Sequence, residues 1–378
     1  MPDCWRQALL VFLSVRIMAS AVAALAWTCV PANPVVSAGG YAGTRLSPVG
    51  EILLSVWERS DALWYAHLAL EGYGAAAPST AFMPLYPGLI RALSWFGLSP
   101  LGAGLLVSNV AFLLALVALF RLARRDFGPE VARQAVWYQA IFPASFFLLA
   151  PYTESLFLAL AVGALLTARQ GRWRWAGLLG GLLSATRTVG ILILPALFLE
   201  FLSARRRGHG APWLQVLWLG LVPVGLLGVM LLQAQATGDP LAFLQAQDGW
   251  QRQFTWPWLT IWGGLRQGFE FAGVADGGIY LFEAMAALYA LVLGIGLLRM
   301  PACYGTLAFL SLLVPLLAPY PGNLLMSLPR FVAVVFPLHL VLARWTSARP
   351  GVEALVRTLM TGLYGLATAL YVASRNMF

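Results

Sequence analysis

Charged residues are scarce in this sequence. Of its 378 residues, 10% are charged and 60% are hydrophobic, whereas a soluble domain has roughly a quarter charged residues. This composition excludes a cytosolic or nuclear globular protein. It predicts a polytopic membrane protein, in which residues 1–378 form one domain with the lipid bilayer as its main environment.

Cysteine and histidine are rarer still, with three of each. Cys4, Cys29 and Cys303 have no paired spacing, so no disulfide framework is expected. The histidines lack the spacing of zinc ligands. The P-loop, GxSxG, HExxH and dinucleotide-binding fingerprints do not occur. We therefore expect no cofactor, no resident metal ion and no soluble nucleotide chemistry.

The net charge of +9 comes from arginines clustered between apolar runs. An excess of basic residues marks cytoplasmic loops, so the clusters predict topology, and no nucleic-acid partner is expected. The clusters are Arg121, Arg124, Arg125 and Arg133; Arg169, Arg172 and Arg174; Arg205, Arg206 and Arg207; Arg299; and Arg344, Arg349 and Arg357.

A transmembrane helix needs about 20 apolar residues. The candidate spans are 8–30, 101–122, 134–150, 153–168, 213–236, 280–298, 302–319, 330–346 and 355–373. The first is expected to be a retained helix and not a cleaved signal, because no small-residue cleavage site follows it. Segment 175–203 has basic clusters at both ends and must cross an even number of times. We predict two short helices there that turn near Thr186–Gly190, for about eleven crossings in all.

This topology leaves three outer loops, at about 31–100, 237–279 and 318–329. The first loop contains the stretch "WERSDALWYAHLALEGYG". If this stretch is helical, its spacing puts Asp61 on the same face as several large apolar side chains. Asp61 or Ser60 could be the N-cap of a helix. Alternatively, Asp61 could be a general base at the membrane surface, and the pattern alone does not decide between the two. The other members of the face are Trp57, Trp64, Tyr65 and Leu68.

Two arginines occur in apolar surroundings. Arg187 lies in "SATRTVG", inside the predicted hairpin, and Arg330 lies in "SLPRF", at an outer helix entrance. Ionisable residues at such places are rare and usually functional, and a guanidinium suits a phosphate group. The alternative is an arginine that snorkels to the outer head groups.

Three further stretches of the outer face carry aromatic or polar residues. In "FPASFFLLAPYTESLF", Glu154 could complement a helix dipole or belong to a site. The stretch "FMPLYPGLIRALSWFG" fits a helix in the membrane interface or one packed on the bundle. In "GDPLAFLQAQDGWQRQFTWPW", Trp250 and its neighbours could stack on sugars or form an aromatic belt.

Seven stretches together resemble the PIG-V type mannosyltransferases, relatives of the second mannosyltransferase of glycosylphosphatidylinositol (GPI) anchor synthesis. They are "WERSDALWYAHLALEGYG", "FMPLYPGLIRAL", "LLVSNVAFLLALVALFRLARRDFG", "FPASFFLLAPYTESLF", "SATRTVGILILPALFLE", "GDPLAFLQAQ" and "SLPRFVAVVFPLHLVLA". The resemblance runs from about residue 57 to 346. It implies an all-α fold of the GT-C glycosyltransferases, with about 11 transmembrane helices and short amphipathic helices in the outer loops.

The resemblance also implies chemistry. A polyprenyl-phosphate sugar would be the donor, a glycolipid or similar glycan the acceptor, and mannose the sugar. Asp61 matches the family's acidic residue in the first outer loop and would be the general base of an inverting displacement. Arg187 or Arg330 would stabilise the departing lipid phosphate. Tentative sugar or acceptor contacts are Trp57, Tyr65, Tyr86, Tyr152, Glu154, Asp239 and Trp250.

Two other functions remain open at this point. A transporter or flippase of a glycolipid or polyprenyl phosphate would also need intramembrane arginines and a groove. Because Ser60 and Thr188 depart from the family's common pattern, a non-catalytic scaffold is a third possibility. The Ala-, Gly-, Leu- and Arg-rich composition favours a bacterial cell membrane, with an endoplasmic reticulum membrane if the source is eukaryotic. The site is expected on the extracytoplasmic side, and no protein partner can be named.

Overall fold

The computed structural model describes residues 3–31, 37–74, 77–208, 212–274 and 277–373. Within these ranges the regular structure is helical, apart from two isolated antiparallel bridges, Ala38–Tyr41 and Tyr320–Asn323. The prediction of an all-α protein is confirmed.

The α-helices follow one another with short connections. In chain order they are α1 Asp3–Cys29, α2 Pro48–Leu53, α3 Asp61–Glu71, α4 Leu85–Ser94, α5 Pro100–Phe127, α6 Pro129–Ile141, α7 Glu154–Arg169, α8 Trp173–Ser184, α9 Ile193–Arg206, α10 Leu221–Thr237, α11 Ala242–Gln245, α12 Pro257–Glu270, α13 Gly278–Leu297, α14 Ala302–Leu317, α15 Leu328–Val334, α16 Phe336–Thr346 and α17 Pro350–Val372. Short 3₁₀ helices precede or join several of them, at Ser55–Trp57, Ala77–Ala81, Ser145–Leu148, Thr188–Leu192, Trp213–Gly220 and Ala246–Trp250.

Six described helices are long and apolar enough to cross a bilayer, which identifies an integral membrane protein. Four of them are α1, α5, α13 and α17. The other two join a 3₁₀ turn to an α-helix, as Thr188–Arg206 and Trp213–Thr237. The pair α15 and α16, bent by 68°, would be a seventh. The count of eleven crossings therefore stays a prediction.

Proline explains where the helices differ from the predicted spans. The predicted span 134–150 is not one helix, because α6 ends at Ile141 and Pro143 and Pro151 lie in the irregular stretch that follows. The span 330–346 is broken before Pro337, whose ring nitrogen cannot donate to the carbonyl of Ala333. That carbonyl instead accepts a 2.7 Å hydrogen bond from the Gln139 side chain, so the break leaves no buried acceptor unpaired there.

The segment 175–203 forms two short helices, α8 and α9. The break between them falls at the predicted turn, and the first outer loop binds it through Leu85 N–H, which donates to the Ala185 carbonyl at 3.1 Å. Glycines allow α8 to pack closely on α10. A Cβ atom at Gly181 would lie 2.6 Å from the Leu221 carbonyl oxygen, and one at Gly225 would lie 1.9 Å from the carbonyl oxygen of Gly181.

Ion pairs bring three of the predicted basic clusters together at one end of the bundle. Arg169 at the end of α7 pairs with Asp126 at 2.8 Å and with Glu200 at 3.1 Å. Arg207, which follows α9, also pairs with Glu200. Because α7 rises about 1.5 Å per residue, Glu154 at its other end lies about 22 Å away. The fold therefore has two separate polar ends.

Candidate active site

A polar cavity of about 320 Å³ lies at the Glu154 end of the bundle. Its walls come from five parts of the chain that are distant in sequence: α3 and residues 81–83, the break between α8 and α9, the loop after α11, the end of α14, and the start of α15. These parts belong to the three predicted outer loops, to the hairpin turn and to α14. The cavity is therefore the place where the predicted outer elements meet.

Four charged side chains alternate in sign beside this cavity. Arg330 donates from Nη1 to Asp61 Oδ2 at 2.8 Å, and from Nε and Nη2 to Glu154 Oε1 at 3.0 and 2.8 Å. Arg187 Nη1 donates to the same Glu154 oxygen at 2.6 Å. Two carboxylates and two guanidiniums balance, so the group carries no net charge and can exist in a desolvated place.

Glu154 is the centre of this group. It is the first residue of α7 and its side chain is fully buried. A buried carboxylate is tolerated only when it is paired and hydrogen-bonded, and the two arginines meet that need. Its place at the start of α7 fits the predicted role beside a helix dipole, and its two ion pairs hold both guanidiniums at the cavity. A role in substrate binding stays a prediction.

Arg330 is held rigidly. Its side chain is 10% exposed, and its guanidinium lies over the rings of Phe147 and Tyr152, at 4.9 and 5.0 Å from their centroids. The preceding turn is fixed as well, because Ser327 N–H donates to the buried carboxylate of Glu283 at 3.0 Å. Ring contacts and ion pairs thus leave Arg330 little freedom to move.

Arg187 is more open. It lies in extended conformation in the break between α8 and α9, its side chain is 15% exposed, and it lines the cavity. Its guanidinium lies 5.0 Å from the ring centroid of Phe331. The side chain binds the buried Glu154 carboxylate, an arrangement that snorkelling to outer head groups does not predict.

Asp61 begins α3 and lines the cavity with 31% of its side chain exposed. Ser60, at the N-cap position, makes no side-chain capping hydrogen bond, and Asp61 Oδ2 pairs with Arg330. Within the described ranges Oδ1 has no hydrogen bond. The structure therefore does not favour an N-cap role for Ser60 or Asp61. The role of Asp61 as general base stays a prediction.

Backbone strain is concentrated around the same cavity. Among the described residues, the non-glycine positions with positive φ are Ser60, Gln251 and Ser327, at 48°, 52° and 63°. Ser60 precedes Asp61, Gln251 precedes Arg252, and Ser327 itself lines the cavity. L-residues adopt such angles only where the surrounding structure enforces them, and such positions cluster at functional sites.

Tyr65 is the predicted aromatic contact that reaches the cavity. Its ring packs edge-on against Phe82, and its hydroxyl lies 3.3 Å from the hydroxyl of Thr153. Burial raises the pKa of the Tyr65 hydroxyl above its usual value. The group is therefore a neutral hydroxyl that can take part in hydrogen bonds.

Trp57 does not lie on the same helical face as Asp61, and that prediction is wrong. Helix α3 begins only at Asp61, and Trp57 ends the preceding 3₁₀ turn. It is fully buried, its carbonyl accepts from Tyr371 at 2.9 Å, and Arg16 lies over its ring. The side chain belongs to the core that anchors the loop on α1 and α17.

Three other tentative contacts, Tyr86, Tyr152 and Asp239, do not line the cavity. Tyr86 and Tyr152 are fully buried, and their hydroxyls donate to the carbonyls of Gly104 and Arg59 at 3.0 and 2.8 Å. Asp239 accepts from the Leu241 N–H in a turn after α10. The side chain of Trp250 lies outside the described part of the structure.

Sequence reasoning missed Arg252, which lines the cavity beside Gln247. Its Nη1 donates to the Ala318 carbonyl at 3.4 Å, and burial lowers the pKa of its guanidinium. Its position in the sequence could have indicated it, because Arg252 lies in the Trp- and Gln-rich stretch that was considered for sugar binding. With Arg252 included, the described charges at the cavity sum to one positive charge.

A separate apolar groove of about 600 Å³ is lined in part by two of the elements that line the polar cavity. Apolar side chains and glycines of α12, α13, α14, α15 and α16 line it. The two spaces share α14, on which Val314 faces the cavity and Leu312 and Leu316 face the groove. At the start of α15, Ser327 lines the cavity and the next residue, Leu328, lines the groove.

Comparison with known proteins agrees with the motifs. Residues 53–218 match the model of the mannosyltransferase (PIG-V) family. GPI mannosyltransferase 2 of Chaetomium globosum is 32% identical over 141 residues, which are 33% of this chain and 30% of that protein. The chain thus spans about a third of the curated relative that it matches.

The fold has a counterpart among solved structures. The crystal structure of ArnT from Cupriavidus metallidurans bound to undecaprenyl phosphate superposes with a TM-score of 0.53, at 14% identity, over 97% of this chain and 76% of that one. At this identity the likeness concerns the fold alone, which is of the GT-C type as expected. The resemblance read from the motifs is confirmed: residues 53–218 carry the pattern of the PIG-V mannosyltransferase family, within a GT-C type helical fold.

Proposed function

We propose that this protein is a membrane-embedded glycosyltransferase that moves a hexose from a polyprenyl-phosphate sugar to a glycolipid or similar acceptor. The observation that carries the proposal is the cavity in which Asp61, Arg330 and Arg187 meet. The match to the PIG-V family makes mannose the first candidate for the sugar. The GPI mannosyltransferase relative makes a lipid-linked glycan the first candidate for the acceptor.

The donor phosphate would bind at Arg187. Both arginines line the cavity, but among the described residues Arg187 has one carboxylate partner and Arg330 has two. A guanidinium can hold two phosphate oxygens at once. Arg252 would add the positive charge that a phosphate needs in a cavity otherwise balanced in charge, and the phosphate charge grows as the sugar leaves.

Asp61 would take the acceptor proton. Its Oδ2 accepts a hydrogen bond from Arg330, which orients the carboxylate. Its Oδ1 has no hydrogen bond within the described ranges and can accept the proton. In the proposed step, the acceptor oxygen bonds to the anomeric carbon as its proton passes to Asp61. The bond between the anomeric carbon and the phosphate oxygen breaks, its electron pair stays on the polyprenyl phosphate, and the anomeric configuration inverts.

The apolar groove would hold the polyprenyl chain. It contains no charged lining residue, and two helices, α14 and α15, contribute to the walls of both the groove and the polar cavity. The head group would bind in the cavity and the hydrocarbon chain in the groove. Burial of a hydrocarbon gains about 0.8 kcal/mol per methylene. The ArnT structure of similar fold contains undecaprenyl phosphate, which supports a polyprenyl phosphate as the carrier of the donor sugar and as the leaving group.

The site would face the extracytoplasmic side. Arg169 and Arg207, from two of the arginine clusters, lie at the end of the bundle away from the cavity, and basic residues are retained on the cytoplasmic side. A bacterial cell membrane is the proposed location, with the endoplasmic reticulum membrane as the eukaryotic equivalent. In both, the lipid-linked donor would reach the cavity from the outer leaflet or the lumen.

Product analysis tests the proposal. The purified full chain would be incubated with radiolabelled polyprenyl-phosphate mannose and a glycolipid extract, and lipids would be separated afterwards. We expect label on a glycolipid and release of polyprenyl phosphate. Unchanged donor that has only crossed the bilayer of a reconstituted vesicle would instead identify a flippase and overturn the proposal.

A further inference from the structure

A second polar cavity lies at the opposite end of the bundle from the candidate active site. It measures about 620 Å³ and lies between the ends of α5, α7 and α9 and the start of α8. A smaller cavity of about 380 Å³ adjoins it and shares Gly171, Trp173 and Gln215 with it. The mechanism proposed above uses neither space.

Arginines dominate the walls of this pair of cavities, which we call the basic pocket. Five arginines line it: Arg125, Arg169, Arg172, Arg174 and Arg207. Two carboxylates accompany them, Asp126 and Glu200. Five positive charges less two negative charges leave an excess of three among these groups.

The two carboxylates are already saturated by their neighbours. Asp126 accepts from the Tyr304 hydroxyl at 2.6 Å and pairs with Arg169 at 2.8 Å. Glu200 pairs with Arg169 and with Arg207. The excess charge therefore rests on the more exposed arginines, among them Arg172 and Arg174, which have no carboxylate partner among the described residues.

The surface beside the basic pocket is apolar. The 3₁₀ segment Trp213–Gly220 exposes Leu214 and Leu217 by 74% and 67%, together with parts of Trp213 and Trp218. Trp218 also lines the smaller cavity. Exposed leucine and tryptophan beside arginine are typical of the level where lipid head groups meet acyl chains.

We propose that the basic pocket binds the phosphate head group of an anionic phospholipid from the leaflet opposite the active site. The arginines would neutralise the phosphate, and the apolar surface of Trp213–Gly220 would contact the acyl chains. Basic pockets between transmembrane helices on the cytoplasmic side are suited to such head groups. The lipid would link α5, α7, α8 and α9, and so stabilise the hairpin whose other end forms the active-site cavity.

Native mass spectrometry of the detergent-purified full chain tests this. Phosphatidylglycerol and phosphatidylcholine with the same acyl chains would be added in parallel titrations, and phosphatidylglycerol is expected to bind more tightly. In the double variant Arg172→Gln, Arg174→Gln this preference should fall. One basic residue near the surface contributes about 1 kcal/mol, or roughly fivefold in affinity, so two should weaken binding about twenty-fivefold.

Arg133→Gln is the matched control. Its side chain is exposed, as those of Arg172 and Arg174 are, but it pairs with Glu130 outside the basic pocket, so phosphatidylglycerol binding should not change. Equal binding of the two lipids, or full binding by the double variant, would overturn the proposal. Displacement of the lipid by millimolar inorganic phosphate would do so too, because it would identify a site for the free anion.

Discussion

The two arginines beside the active-site cavity share one carboxylate but differ in what they are free to do. Arg330 is covered by aromatic rings and bound to both Asp61 and Glu154. Arg187 also lies near an aromatic ring, that of Phe331, but among the described residues it binds one carboxylate, Glu154. We therefore assign Arg330 to orienting Asp61 and Arg187 to the donor phosphate.

Arg187→Lys should separate charge from shape at this position. Lysine keeps the positive charge that the buried Glu154 requires, so the protein should fold, but a point charge cannot hold two phosphate oxygens. We expect most of the transferase activity to be lost, with a larger effect on kcat than on KM. Activity and thermal unfolding would be measured on matched amounts of protein, and a fully active lysine variant would contradict the assignment.

Glu154→Gln should be a stability variant as well as an inactive one. Removing the buried carboxylate leaves two guanidiniums without their common partner, and breaking a buried pair in this way costs about 3–5 kcal/mol. Glu130→Gln is the control, because its pair with Arg133 is about half exposed and should contribute about 0–1 kcal/mol. Equal unfolding temperatures for the two variants would show that Glu154 is not the centre of the group.

Sequence alone could single out most of the site's ionisable residues, Arg252 excepted, but not their pairing. Asp61, Arg187 and Arg330 were visible because charges are rare in apolar surroundings. That Asp61 meets Arg330, 269 residues away, depends on tertiary packing that no local pattern contains. Helical spacing likewise could not tell that Tyr86 and Tyr152 belong to the core and Tyr65 to the cavity wall.

The hairpin of α8 and α9 is the element that joins the two polar ends. Charge at its flanks predicted it correctly as two short helices, because a topology argument needs only the ends of a segment. Hydropathy failed where proline interrupts an apolar run, as between α6 and α7 and before α16. An apolar run shows that a segment is buried, but not that its backbone is continuous.

Cysteine labelling tests the hairpin. On a background without Cys4, Cys29 and Cys303, single cysteines at 172 and 206 should both be inaccessible to an impermeant reagent added outside intact cells. Both should react once the membrane is opened, because a segment that crosses twice would have both of its basic ends on the cytoplasmic side. Labelling of one position and not the other from outside would contradict a double crossing.

The close approach of α8 and α10 makes a second test at this scale. Gly225→Ala places a Cβ atom 1.9 Å from the Gly181 carbonyl oxygen, so the helices must move apart, at a cost of about 1–3 kcal/mol. Gly228→Ala, one turn further along α10, meets nothing within 4 Å. It should leave stability unchanged or raised, since alanine favours helix. Equal unfolding temperatures would refute the close packing.

At the scale of the whole molecule, the two polar ends lie about 22 Å apart along α7. One end carries the strained turns and the alternating charges, and the other carries the basic pocket. The proposed glycosyl transfer and the proposed lipid site use different ends of the molecule. Chemistry would take place at one membrane face, and the opposite face would anchor the protein to lipid.

The central claim is that Asp61 is the general base, and the turnover of Asp61→Asn tests it most directly. Asparagine keeps the shape and can still accept from Arg330, so folding and donor binding should remain. Turnover should fall about a hundred- to ten-thousandfold. Glu71→Gln, an exposed acid at the end of the same helix, should keep full activity. Asp61→Asn turnover within a few-fold of the parent, on folded protein that binds donor equally, would contradict the account.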